Sequence, residues 1–97
     1  MDIQKFAKQF TDFITTNGND PQNWYVGIAS NAEERLQDGH GIIQGDIFIF
    51  DNALTEQNAR AVEKYLIESH DTQGNPGGGD SETTWVYAYK INGHTRE

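Results

Sequence analysis

The chain has 97 residues, 35% of them hydrophobic and 11% aromatic, and carries 7 Lys and Arg against 15 Asp and Glu for a formal net charge of −8. That length amounts to a single domain, residues 1–97, whose small core favours a shallow groove over a deep cavity. The acidic balance opposes a tight autonomous complex with DNA or RNA, and the lack of cysteine excludes disulfides and thiolate metal sites and disfavours a secreted, stapled mini-protein.

Taken in chain order, Ile3, Phe6, Phe10, Phe13 and Ile14 recur at three- and four-residue steps, which predicts an amphipathic helix with Asp2 as N-cap and Gly18 as its stop. The opening "MDIQKFAKQF" has no basic region followed by an apolar run, and no segment approaches membrane-spanning length. A cytoplasmic protein without a membrane partner is therefore expected. "NGNDPQN" is turn chemistry, and Trp24–Ala29 after it reads as a strand. Asn31 with Glu34 forms a capping-box-like start to a short helix through Asp38, ended by Gly39 and Gly41. The apolar run "DIFIFD", residues 46–51, predicts a strand covered on both faces, lying centrally or under a helix. Thr55 caps a longer helix to about His70 with Ala59, Val62, Leu66 and Ile67 as its apolar arc. "DTQGNPGGGDSE" breaks all periodicity, residues 83–91 alternate as a strand, and Asn92-Gly93 signals a hairpin turn with almost no chain left for a second arm. The order is helix, strand, helix, strand, helix, loop, strand, and the fold class is α+β: a small antiparallel or mixed sheet of about three strands flanked by three helices.

Few patterns in this chain carry chemistry. "GNPGGGD", residues 74–80, lacks the Lys-Ser/Thr ending and the strand and helix context of a phosphate loop, so a plain loop is the expectation. His40, His70 and His94 are too scattered for a zinc motif, and a surface role is expected of His94. Gly27, at the end of a strand before a capped helix that carries Arg35, suits an anion, but spacing alone favours a solvated arginine and a glycine that relieves crowding. Glu63 is sharper. At about 100° per residue it falls near the centre of the apolar arc, where a carboxylate needs a cation, a hydrogen-bond network or a metal. A structural pair with Arg35 or Arg60 and a magnesium-type site built from one carboxylate, waters and a phosphate are equally open. Strand alternation puts Trp85, Tyr87 and Tyr89 on one sheet face, which is ordinarily core or a phenol-lined rim.

"YVGIASNAEERL" resembles the second signature of the GIY-YIG nucleases, in which a Tyr-Ile/Val-Gly strand leads into a helix carrying an arginine; the match is Tyr25, Gly27 and Arg35, with His40 one position later than the family's usual histidine. "ARAVEKYLIE" resembles the later helix whose glutamate binds the divalent metal, and that residue maps onto Glu63. Together these motifs span about half the chain. The first-signature strand is missing from its usual place, yet "VYAYKING" near the C-terminus looks like it, so the resemblance implies a circularly permuted arrangement in which residues 86–91 pair beside Trp24–Ala29 and Tyr87 takes the first-motif tyrosine's role. It further implies metal-dependent phosphodiester hydrolysis of nucleic acid: Tyr87 or Tyr25 helping to activate water, Arg35 and His40 steadying the phosphate charge, and Glu63 holding Mg²⁺ or Mn²⁺. The acidic balance favours an alternative, a catalytically inactive binding module of the same fold that engages a protein partner through the tyrosine face or the glycine loop. Acidity alone would also suit a mimic of nucleic acid.

Overall fold

The structure is a computed structural model that describes residues 2–74 and 82–96. Helix α1 (Ile3–Thr16) starts where the Asp2 carboxylate accepts from the Lys5 N–H at 3.2 Å, and it buries Ala7, Phe10 and Ile14 on one face. Gly18 leaves the helix at φ +121°, a conformation L side chains rarely adopt. A short 3₁₀ turn (Pro21–Asn23) delivers the chain to strand β1 (Trp24–Ala29). Asn31 then caps helix α2 (Ala32–Glu34), its side-chain oxygen accepting from the Glu34 N–H at 3.1 Å. The helix continues as a π-helical turn over Arg35–Gly39, closed by the His40 N–H donating to the Arg35 carbonyl. Strand β2 (Phe48–Asn52) leads through Thr55, which caps helix α3 (Glu56–His70) by accepting from the Asn58 N–H. Asp71 ends α3 in the left-handed region, strand β3 (Gln73–Gly74) follows, and strand β4 (Trp85–Lys90) completes the elements.

The fold is α+β, with a four-stranded mixed sheet in the order β2-β4-β1-β3. Beside the three full strands, the fourth is a two-residue addition parallel to β1 at Tyr25 and Val26. β4 lies between β2 and β1 and is antiparallel to both, so residues 86–90 do pair beside Trp24–Ala29, with Tyr87 opposite Gly27 and Phe50. Alternation along these strands sorts the side chains into two layers. Trp24, Val26, Val86 and Ala88 pack with Phe10 and Ile14 of α1 and Val62 and Leu66 of α3; Tyr87 and Tyr89 pack with Ala32, Leu36 and Ile42 on the opposite face. No helix among the described residues is long and apolar enough to cross a membrane.

One expectation needs correction. The strand expected over 46–51 begins at Phe48 and lies at the edge of the sheet, not at its centre, with Phe48 39% exposed. Its continuous hydrophobicity arises because Ile47 and Ile49 reach the larger core while Phe50 reaches the smaller one, so each face is only partly covered. Asn92-Gly93, with almost no chain left for a second arm, opens none among the described residues. The Asn92 side chain accepts from the His94 N–H at 3.1 Å, and the chain then folds back until the Arg96 N–H donates to the His40 carbonyl at 2.8 Å. In the glycine stretch, Gly74 closes β3 and residues 75–80 lie outside the described residues.

Candidate functional site

Tyr87 is the centre of the arrangement. Its ring crosses the place where its strand partner Gly27 lacks a side chain: a Cβ there would lie 2.3 Å from the Tyr87 hydroxyl. Only glycine permits that approach, which gives Gly27 a more specific task than relieving general crowding.

His40 Nε2 lies 2.7 Å from the same hydroxyl, and its Nδ1 contacts the Arg96 carbonyl. A carbonyl can only accept, so Nδ1 carries the proton in the neutral ring and Nε2 is left to accept from Tyr87. Tyr89 donates to the same carbonyl at 3.0 Å and stands 3.1 Å from Nδ1. Tyr25 covers the cluster, with its ring centroid 4.9 Å from that of His40 and stacked at 5.5 Å on Tyr89. His40 is 3% exposed, Tyr87 2% and Tyr89 0%, so this is a buried polar network whose members satisfy one another.

Arg35 and Glu63 approach from different elements. The π-helical turn widens the helix by one residue between Arg35 and His40, and the Arg35 stem lies against Gly39, where a Cβ would come within 3.1 Å of Arg35 Cδ. Burial pushes the Tyr87 phenol up to about 12; the Arg35 guanidinium hydrogen-bonded beside it pulls the other way, and the nearby Tyr25 and Glu63 charges push it further up. Glu63 is 3% exposed on α3 among Ala59, Val62 and Leu66, as the periodicity of the helix predicts. Burial raises its pKa to about 7, with the Arg60 charge opposing. Arg60 itself is engaged by Glu56 at 2.8 Å one helical turn away, so it gives Glu63 a nearby charge rather than a salt bridge.

Of the five residues singled out in the sequence, Arg35 and His40 hydrogen-bond Tyr87 and Tyr25 packs beside His40, while Glu63 acts on Tyr87 through its charge alone. The remaining histidines stand elsewhere: His70 meets Tyr65 at 3.1 Å and His94 pairs with Asp46 at 2.7 Å. The backbone N–H of Ile43 and the His94 ring hold the Asp46 carboxyl below its usual range. Sequence reasoning missed the third supports of the network, Tyr89 as a partner of His40 and the main-chain carbonyl of Arg96, which no side-chain pattern can encode.

The donor set suits a divalent cation only in a sparse manner. Among the described residues no three His, Cys, Asp or Glu converge. Glu63 offers one carboxylate whose charge interacts with Arg60 and Tyr87, and a single carboxylate can hold Mg²⁺ with waters and a substrate phosphate filling the other positions. No family model matches the chain, and no curated protein or solved structure matches it significantly.

Proposed function

We propose that the chain is a small metal-dependent phosphodiesterase of GIY-YIG type, in permuted arrangement, acting on nucleic acid at the Tyr87 hydroxyl. The observation that carries this reading is the meeting of Arg35 and His40, from a π-helical turn and the residue after it, at that hydroxyl, with the buried Glu63 of the far helix near enough for its charge to act on Tyr87. His40 is held ready to accept the phenolic proton, so Tyr87 can take a proton from an attacking water as it passes its own to Nε2. The guanidinium of Arg35 is placed to offset charge that builds on the phosphate as the new P–O bond forms and the old one breaks. A buried carboxylate with its pKa raised to about 7 is costly to ionise unless a cation arrives, so Glu63 is the residue that would hold Mg²⁺ or Mn²⁺. Bound there, the ion would polarise the phosphoryl oxygens and stabilise the leaving oxygen. The extra residue in the π-helical turn also accounts for a histidine one position later than the family pattern.

The net charge of −8 favours short or single-stranded substrates, or a complex that supplies basic surface, over autonomous duplex binding. The lack of cysteine suits a reducing compartment, and we place the protein in the cytoplasm. The same charge supports a second reading, an inactive fold that engages a protein partner. The two separate in a cleavage assay on labelled single-stranded and duplex oligonucleotides with Mg²⁺ or Mn²⁺. Metal-dependent cleavage that falls by about 10²-fold or more in each of Tyr87→Phe, Arg35→Ala and Glu63→Gln supports the enzyme. Cleavage absent from wild type, or unchanged in all three folded variants, rejects it.

A further inference from the structure

β2 is an edge strand whose backbone orientation can be read from its pairing. Lys90 N–H donates to the Ile47 carbonyl at 2.9 Å and Ala53 N–H to the Thr84 carbonyl at 2.7 Å, so the backbone groups of residues 47, 49, 51 and 53 point toward β4. Those of Phe48, Phe50 and Asn52 then point away from the sheet. Asn52 N–H is taken by the neighbouring Asp51 carboxylate at 2.8 Å. Phe48 and Phe50 keep outward N–H and C=O groups with no partner among the described residues.

Alongside this edge, on the face that carries the Phe48 and Phe50 side chains, lie two hollows of about 380 and 320 Å³. They share Glu33 and Phe50 and so adjoin, the first floored by Leu36 and Ile42 and the second reaching Trp85. Ile43, 60% exposed, and Phe48 stand at the rim. Among the described residues, Glu33 is the one charged residue in either lining, on a chain of net charge −8. Long, exposed, apolar edges are normally blunted by lysine, proline or a cover, and β2 has no lysine or proline.

We propose that this edge and groove form a docking site for an extended, basic peptide segment of a partner protein, which adds a strand to β2. Its backbone pairs with the outward groups of Phe48 and Phe50, its alternate apolar side chains drop into the two hollows, and its lysines or arginines meet Glu33. A second copy of this chain is disfavoured by the repulsion of two acidic molecules, and a basic strand is drawn in by the same field. The groove shares its Leu36, Ile42 and Phe50 with the cluster that packs Tyr87, but none of Tyr25, Arg35, His40, Glu63 and Tyr87 lines it, so binding there does not require catalysis.

The test uses short synthetic peptides alternating valine with lysine or valine with glutamate, titrated into the ¹⁵N-labelled full chain. The lysine peptide is expected to shift the Phe48, Phe50, Leu36 and Ile42 amides saturably, to weaken as salt rises, and to bind about tenfold or more tightly than the glutamate peptide. Phe48→Pro removes an outward N–H without touching a β4 bond and should abolish binding; Glu33→Lys, a surface change, should weaken it several-fold should the proline variant misfold. Equal binding of both peptides, shifts centred elsewhere, or Phe48 and Phe50 amides already protected from solvent exchange without peptide overturns the proposal. In the last case a concentration dependence identifies a second copy as the cover.

Discussion

Glu63 shows how one residue ties stability to the site. Its ordinary pKa of 4.5 is raised to about 7 by burial, so between those values the folded chain holds a proton that the unfolded chain releases. The stability this residue contributes is therefore largest below pH 4.5, falls as pH rises to about 7, and is level above that. Relative to wild type, Glu63→Gln should be more stable by about 2 kcal/mol at pH 8 and nearly equal in stability at pH 4.5, read by urea unfolding at each pH. A constant difference across that range would mean the carboxylate titrates normally in the native state. Its placement was legible from the sequence because a glutamate in the middle of an apolar arc violates the helix's own pattern. Of the two arginines the pattern offered as its partner, Arg60 is turned to Glu56.

At the level of elements, the close approach of β1 and β4 is the constraint on the site. Gly27→Ala puts a methyl group 2.3 Å from the Tyr87 hydroxyl, so the Tyr87 ring must swing out and break its bond to His40. We expect a loss of about 1–3 kcal/mol in stability and of the hydrogen-bonded His40 Nε2 signature by NMR; a stable variant with that signature intact would refute the packing argument. Local chemistry made most elements legible. Asn31 and Thr55 cap the helices predicted for them, and Trp24–Ala29 is the strand its composition predicts. Less was readable where tertiary partners decide. An apolar run such as residues 46–51 looks the same at an edge as at a centre, the π-helical turn has no sequence signal, and the tail's hold on His40 runs through a backbone carbonyl.

Across the whole molecule, the acidic charge acts against compactness and against polyanions alike. Raising the ionic strength from about 0.01 to 0.15 M shortens the screening length from roughly 30 to 8 Å, and self-repulsion at −8 should ease enough to raise the thermal midpoint by about 2–4 °C. An unchanged or lower midpoint would show that the carboxylates are locally compensated. The same field makes a divalent cation more welcome than a bare phosphate, which is why metal comes first in the proposed chemistry. The most direct test is an NMR titration of the labelled chain with Mg²⁺ and Mn²⁺ near pH 8, wild type against Glu63→Gln. We predict shifts with Mg²⁺ and paramagnetic broadening with Mn²⁺ centred on Glu63, Arg35, Tyr25 and Tyr87, both lost in the variant. No response at millimolar metal, or one centred away from Glu63, would contradict a metal-dependent site at the Tyr87 hydroxyl.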